Sequence, residues 1–258
     1  MEPIKVTAVS YLNTKPFLYG LLQEGLTDHL DIQLDIPSVC AARLQNGDAR
    51  MGLVPVAILP QLPEARIITD YCIGTEGAVK TVGIFSEQPI EQLTHLYLDY
   101  HSRTSVQLTK VLLREYWQCS PKLLPARPGF EARIRGTVGA LIIGDRTMGL
   151  EQQFPYFYDL GVAWRDHTGL PFVFAAWVAI GSLPLGLESR LNRAFNKGIN
   201  KVDDLALLLQ SPSEDFSLSD YYKRYISYRL DAEKRRGLDL FLEKIQSGTA
   251  TRRSLQVL

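Results

Sequence analysis

The chain of 258 residues carries 28 basic and 28 acidic side chains, a formal net charge of zero, and 46% of its residues are hydrophobic. That balance excludes the basic excess needed for non-specific binding to nucleic acid or an anionic membrane. The apolar share is enough for one large domain or two lobes of about 100–150 residues each.

Met1–Val9 runs directly into a strand, with no basic-then-apolar leader and no lipobox cysteine, so a cytoplasmic location is expected. No apolar run approaches the roughly 20 residues of a membrane span. Cys40, Cys72 and Cys119 are odd in number and widely spaced, which fits a reducing compartment and neither a disulfide framework nor a zinc pattern. Ile4–Val9 alternates like a strand, Ser10–Pro16 reads as a loop, and Pro16 suits the first turn of a helix carrying Phe17, Leu18, Leu21 and Leu22. A strand over Ile32–Ile36, a helix from Ser38 to near Gly47 and a strand over Met51–Val54 complete a β-α-β-α-β unit of a parallel sheet.

The same grammar returns further along. Leu96–Asp99 is a strand and Tyr100–Thr104 a polar loop. Leu108, Val111, Leu112 and Tyr116 mark the apolar face of a helix. A short strand at Leu123–Leu124, a helix from Phe130 and a buried strand over Gly139–Ile143 close the second unit. Val79–Ser86 and Phe172–Ile180 are apolar and β-prone, and they are natural crossings between two α/β lobes. Lobe 1 is then residues 1–88 with 177–258, and lobe 2 is residues 89–176. Helices are expected over Leu187–Lys201, Leu218–Arg229 and Ala232–Ile245, packed back on lobe 1, with Ser211–Asp215 as a connecting turn.

In parallel α/β sheets the ligand crevice lies at the carboxyl ends of the strands. Those ends deliver Ser10, Tyr11, Asn13 and Pro55 in the first unit, then Ser102, Arg103, Thr104, Ser105, Gly144 and Asp145 in the second. Three hydroxyls and a guanidinium at a helix start suit a carboxylate or phosphate, although simple N-capping accounts for one of the hydroxyls. Thr75 and Thr81 bracket the first crossing, where a plain turn at Gly74 and Gly77 is the alternative. The turn at Thr168 and Gly169 feeds the apolar run Phe172–Trp177, which reads either as a core strand or as the wall that closes a cleft. His29, His95, His101 and His167 show no metal-binding spacing, and His167 reads as an exposed turn residue. No GxGxxG, P-loop or GxSxG run is present.

Five segments in order, Ser10–Pro16, Gly52–Pro55, Ser102–Val106, Leu141–Asp145 and Thr168–Ala175, resemble the successive motifs of the menaquinone-pathway family MqnA, the chorismate dehydratase of the futalosine route. The likeness spans nearly the whole chain, including a helix over Glu233–Phe241. It implies a two-lobed fold of the type II periplasmic-binding-protein kind and a reaction that turns chorismate into 3-[(1-carboxyvinyl)oxy]benzoate and water without a cofactor. The resemblance puts the family's active-site asparagine on Asn13 and sets Thr81 where a serine is common. Ser102, Thr104 and Ser105 would bind a substrate carboxylate, and Thr168 with Gly169 would form the opposite wall. The sequence identifies no general base: the substrate's own enolpyruvyl carboxylate is one candidate, and Asp145 and His167 are the protein alternatives. The competing classes are a non-catalytic receptor for a small carboxylate and the related dihydroxynaphthoate synthase. Chorismate is the only partner implied, with neither nucleic acid nor membrane, and the oligomeric state is left open.

Overall fold

Short apolar runs near the N-terminus become parallel strands, as their spacing predicts. In the computed structural model, which describes residues 2–211 and 216–255, β1 (Ile4–Val9) pairs in parallel with β2 (Leu30–Asp35) and with β3 (Met51–Pro55). Helices α1 (Lys15–Gln23) and α2 (Pro37–Gln45) make the crossovers. Each has a proline in its first turn, where the missing N–H has no intrahelical partner to lose. The unit recurs as β6 (His95–Leu98), α3 (Thr104–Glu115), β7 (Lys122–Pro125) and β8 (Val138–Ile143), with β6 parallel to both neighbours. The helix expected from Phe130 is only a 3-10 turn, Phe130–Arg133. Of the turn expected at 211–215, all but Ser211 lies outside the described residues.

Four elements were not anticipated: the long strand β4 (Ala65–Thr75), β9 (Tyr156–Asp159), α4 (Leu160–Thr168) and β11 (Ser227–Arg229). With β5 (Val82–Ser86) and β10 (Phe172–Ile180), they complete two sheets, ordered β11-β4-β10-β3-β1-β2 and β7-β6-β8-β5-β9. In each sheet the strand just arrived from the other lobe lies antiparallel beside the third strand of the parallel unit, β10 beside β3 and β5 beside β8.

This pairing moves the expected lobe boundaries. The crossings are short loops at residues 76–81 and 169–171 rather than the apolar strands themselves. β5 belongs to the second sheet and β10 to the first, so 82–86 joins lobe 2 and 172–176 joins lobe 1. The reason is the ladder: an incoming strand needs both edges paired, and only one sheet can supply two neighbours.

The C-terminal third supports lobe 1 and also reaches lobe 2. α5 (Leu187–Ile199) crosses α1 so closely that a Cβ on Gly20 would stand 2.0 Å from the Ala194 carbonyl oxygen, and one on Gly198 1.9 Å from that of Pro16. Phe17, Trp177 and Phe195 fill the space beside this crossing, with ring centroids 4.7–5.8 Å apart. α6 (Val202–Leu208) follows, but the helix expected over Leu218–Arg229 breaks up. It becomes α7 (Leu218–Asp220), a π-helical turn over Tyr221–Tyr225, and then β11 at the sheet edge. α8 (Ala232–Leu255) packs on β10 and also on α3, where Lys244 pairs with Glu115, so it bridges the lobes instead of covering lobe 1 alone. Among the described residues no helix is long and apolar enough to cross a membrane.

Candidate active site

The carboxyl ends of β1, β3 and β8 face one another across the lobe junction and enclose about 500 Å³ of atom-free space, part of it open to solvent. Lobe 1 contributes Tyr11, Asn13 and Pro55, and lobe 2 contributes Ser102, Thr104, Ser105 and Gly144. Thr81 lines the space from the end of the first crossing, and Phe174 and Ala175 of β10 form its floor. The walls are otherwise aliphatic, including Val9, Ile73, Val79 and Ile143, and no lysine, arginine, histidine or carboxylate is among the described lining residues. A lining that is aliphatic apart from a few neutral polar groups is chemically suited to a ring-bearing ligand.

Main-chain N–H groups at three helix starts in lobe 1 point across the junction. Leu12 donates to both oxygens of Asp145 at 3.2 and 3.1 Å, Ser38 to the His101 carbonyl at 2.9 Å, and Ala57 to Thr104 Oγ1 at 3.2 Å. The Tyr11 hydroxyl also lies 2.5 Å from His101 Nδ1. Gly144 has a φ of +74°, and a Cβ there would fall 2.5 Å from the Tyr11 ring, so glycine is what lets the rims meet. The lobes are thus in contact along one rim of the cleft.

The hydroxyl run at the start of α3 divides its labour. Ser102 Oγ accepts from the Ser105 N–H at 2.9 Å, which is the capping reading, and donates to Ser105 Oγ at 2.9 Å. Ser105 therefore keeps its own hydroxyl hydrogen for the cleft, next to the positive end of the α3 dipole. Thr104 Oγ1 is engaged by Ala57, and Arg103 reaches Gln45 on the far side instead of the cleft. Buried Asp99 braces this loop by accepting from the His101 and Ile143 main-chain N–H groups at 3.0 and 2.9 Å, and it pairs with Arg146.

The ionisable groups at the junction are shifted mainly by burial. Burial pushes the Asp145 carboxyl up to about 6 against the pull of the Leu12 N–H and Lys15. It lowers His101, reinforced by the Arg146 charge, so the imidazole is neutral near pH 7. The Tyr11 phenol is pushed well above its ordinary range, again by burial first and Asp99 second.

Four of the expected contacts lie elsewhere. Ser10 is exposed and absent from the lining. Thr168 Oγ1 donates to the Trp164 carbonyl at 2.8 Å and accepts from the Leu170 N–H, while Gly169 closes α4 with a φ of +72°. Both end a helix that the sequence reading did not contain, so neither forms a cleft wall. Asp145 stands at the rim and bonds to Leu12 instead of lining the space. His167 is half-buried on α4 beside Glu115, not on an exposed turn. The residues missed are Tyr221 and Tyr228, whose hydroxyls reach Thr81 and the Asn13 carbonyl. Nothing local marks them, because they arrive from more than 130 positions away.

Comparison with known proteins adds an independent line. A family described as "Menaquinone biosynthesis" matches residues 4–247. The chorismate dehydratase of Thermus thermophilus is 26% identical over 95% of this chain and 96% of its own length. A second chorismate dehydratase, from Campylobacter jejuni, is 27% identical over 43% of this chain and 51% of its own. Among solved structures, a protein from Archaeoglobus fulgidus superposes with a TM-score of 0.75 at 11% identity, covering 96% of this chain and 98% of that one. The ligand-binding component of an ABC-type import system from Staphylococcus aureus gives 0.61 at 12% identity, with 97% and 93% covered. A Candida albicans protein described as having the generic periplasmic-binding-protein fold gives 0.57 at 10%, with 96% and 94% covered. These likenesses agree with the sheet orders in assigning a two-lobed fold of the type II periplasmic-binding-protein kind.

Proposed function

The chain belongs to the menaquinone-biosynthesis family, and from that premise we propose that it is a chorismate dehydratase acting in the inter-lobe cleft. Both curated relatives described above carry that activity in their names. The reaction removes a proton from the ring carbon that bears the enolpyruvyl ether and releases the hydroxyl of the neighbouring carbon as water. The electron pair of the broken C–H bond becomes ring π density, and aromatisation drives the step. The protein has to hold a dianion, exclude water and assist the leaving hydroxyl.

The observation that carries this reading is the chemistry of the lining. Aliphatic walls flank the ring, and the polar groups are neutral donors: Asn13, Thr81 and Ser105, with the α3 N-terminus behind the last. The absence of histidine and carboxylate from the described lining supports a base carried by the substrate itself. On this reading the enolpyruvyl carboxylate takes the ring proton and passes it to the departing hydroxyl, which leaves as water, while Asn13 orients the substrate and Thr81 hydrogen-bonds to the departing hydroxyl. Ser105 and the helix terminus receive a carboxylate.

The test is to mix purified protein with chorismate and follow ultraviolet absorbance and mass. Loss of one water with an aromatic product supports the dehydratase. Tight binding without turnover would favour a receptor and sink the proposal. Asn13→Ala is expected to lower turnover by about a hundredfold with the fold intact, and Ser105→Ala to weaken chorismate binding by about tenfold.

A further inference from the structure

Two of the cleft groups come from segments far apart in the chain: Asn13 from the loop after β1, and Thr81 from the end of the first crossing. Two buried tyrosines of the C-terminal third reach them. Tyr221 opens the π-helical turn Tyr221–Tyr225, is 1% exposed, and holds its hydroxyl 3.0 Å from Thr81 Oγ1. A second tyrosine, Tyr228 on β11, donates to the Asn13 carbonyl at 3.0 Å. The ring of the next residue, Tyr222, lies beside that of Tyr221, with centroids 5.7 Å apart.

The direction of the hydrogens matters. The buried phenol keeps its proton and can donate it to Thr81. When Tyr221 donates to Thr81 Oγ1, the threonine hydrogen is left for the cleft, since its other acceptor, the Val79 carbonyl, lies at a long 3.4 Å. Without the phenol, Thr81 is free to turn its hydrogen away from the cleft.

We infer that Tyr221 is a positioning residue that aligns the Thr81 hydroxyl, across the lobe junction, toward the substrate. This rests on the dehydratase reading for its activity measurements. It does not touch the substrate and is not among the residues lining the cleft.

The neighbouring Tyr222 supplies a control. It is equally buried, but its hydroxyl has no hydrogen-bond partner among the described residues. Tyr221→Phe keeps the ring and its packing, so the fold survives. Its kcat for chorismate is expected to fall by about ten- to a hundredfold while KM stays within about twofold. Tyr222→Phe is expected to leave kcat within about twofold of the parent protein. Thr81→Val combined with Tyr221→Phe should be no slower than Thr81→Val alone, because both remove one aligned hydroxyl. Equal kcat in Tyr221→Phe and parent, or a double variant whose losses multiply, would overturn the inference. A second readout needs no turnover: crystal structures of parent and Tyr221→Phe should show the Thr81 side chain in a new rotamer, and an unchanged Thr81 would also overturn it. If the parent protein fails to dehydrate chorismate, the proposed function falls, and the rotamer comparison still decides the role of Tyr221.

Discussion

Two partly buried aspartates stand where lobe 2 meets lobe 1, and they do different work. At the hinge end, Asp159 accepts main-chain N–H groups from Val79 and Lys80 of the first crossing and from Gly161 and Val162 of α4, at 2.7–3.2 Å. At the rim, Asp145 accepts, among the described residues, only the Leu12 N–H, shared between its two oxygens. Burial raises both carboxyls, opposed in each case by the backbone donors. The lesson is in the number of donors. Four donors on two elements make Asp159 a fixed joint, whereas a single donor from the other lobe makes Asp145 a lighter tie across the rim.

The largest expected effect therefore belongs to the joint. Asp159→Ala removes the N-cap of α4 and strands the N–H groups of the crossing, where Lys80 is held at a φ of +68° that a non-glycine residue adopts at a cost. Unfolding in denaturant should show a loss of about 4 kcal/mol. A loss under about 1 kcal/mol would mean the joint is not held by this carboxylate. Asp159→Asn, which keeps one acceptor oxygen, should fall between the two.

The rim comes next. Gly144→Ala places a methyl group where the Tyr11 ring lies and forces a side chain into a left-handed backbone. Chorismate binding, read by calorimetry, should weaken by about thirtyfold, or about 2 kcal/mol, as the rims are held apart. Parent-like affinity would show that the contact seen between Gly144 and Tyr11 is dispensable for binding.

A smaller effect separates the two carboxylates by pH. The Asp145 carboxyl titrates near 6 in the folded chain against an ordinary 3.8, so the folded state holds more protons between those values. Its contribution to stability is then fullest below about pH 4 and is lost as pH rises through about 6. Asp145→Asn keeps an acceptor for Leu12 and does not titrate. Its stability relative to the parent protein should rise by about 1 kcal/mol between about pH 4 and 7, a figure below the full shift because the carboxyl is partly reached by water. A pH-independent difference would place the titration elsewhere.

The contrast between joint and rim also explains what could be read from the sequence. The rim was legible because it obeys a positional rule: the short apolar strands β1, β3, β6 and β8 end there, and their loops supply Asn13, Pro55, Ser102–Ser105 and Gly144. The joint was not. β9 is a four-residue edge strand, too short to show a period, and α4 follows it without a gap. β4 escaped because Arg66 and Asp70 interrupt its apolar pattern, and both project where α5 and α8 side chains meet them, at Glu188 and Arg235. Leu218, Tyr221, Tyr222 and Tyr225 have helical spacing, but only tertiary packing turns that stretch into a π turn and a strand. Two crossings were expected between the lobes, and two exist. Their placement as loops depends on which sheet each incoming strand completes, a contact between distant segments.

The smallest expected effect concerns the residue whose assignment changed most. Thr168 was expected on the cleft wall, yet its hydroxyl donates to the Trp164 carbonyl and accepts from the Leu170 N–H, both within the last turn of α4 and the start of the second crossing. Trp164 in turn donates from its indole to the Pro171 carbonyl at 3.3 Å, so the turn is braced independently of Thr168. Thr168→Val keeps the shape of the side chain and removes one capping pair in a half-buried position. Unfolding should therefore show a loss of about 0.5–1 kcal/mol, and kcat and KM for chorismate should stay within about twofold of the parent values. A sharp fall in turnover from this substitution would mean that the hydroxyl swings from the helix end into the cleft during the reaction. The joint would then belong to the active site, and the division of labour between Asp159 and Asp145 would have to be redrawn.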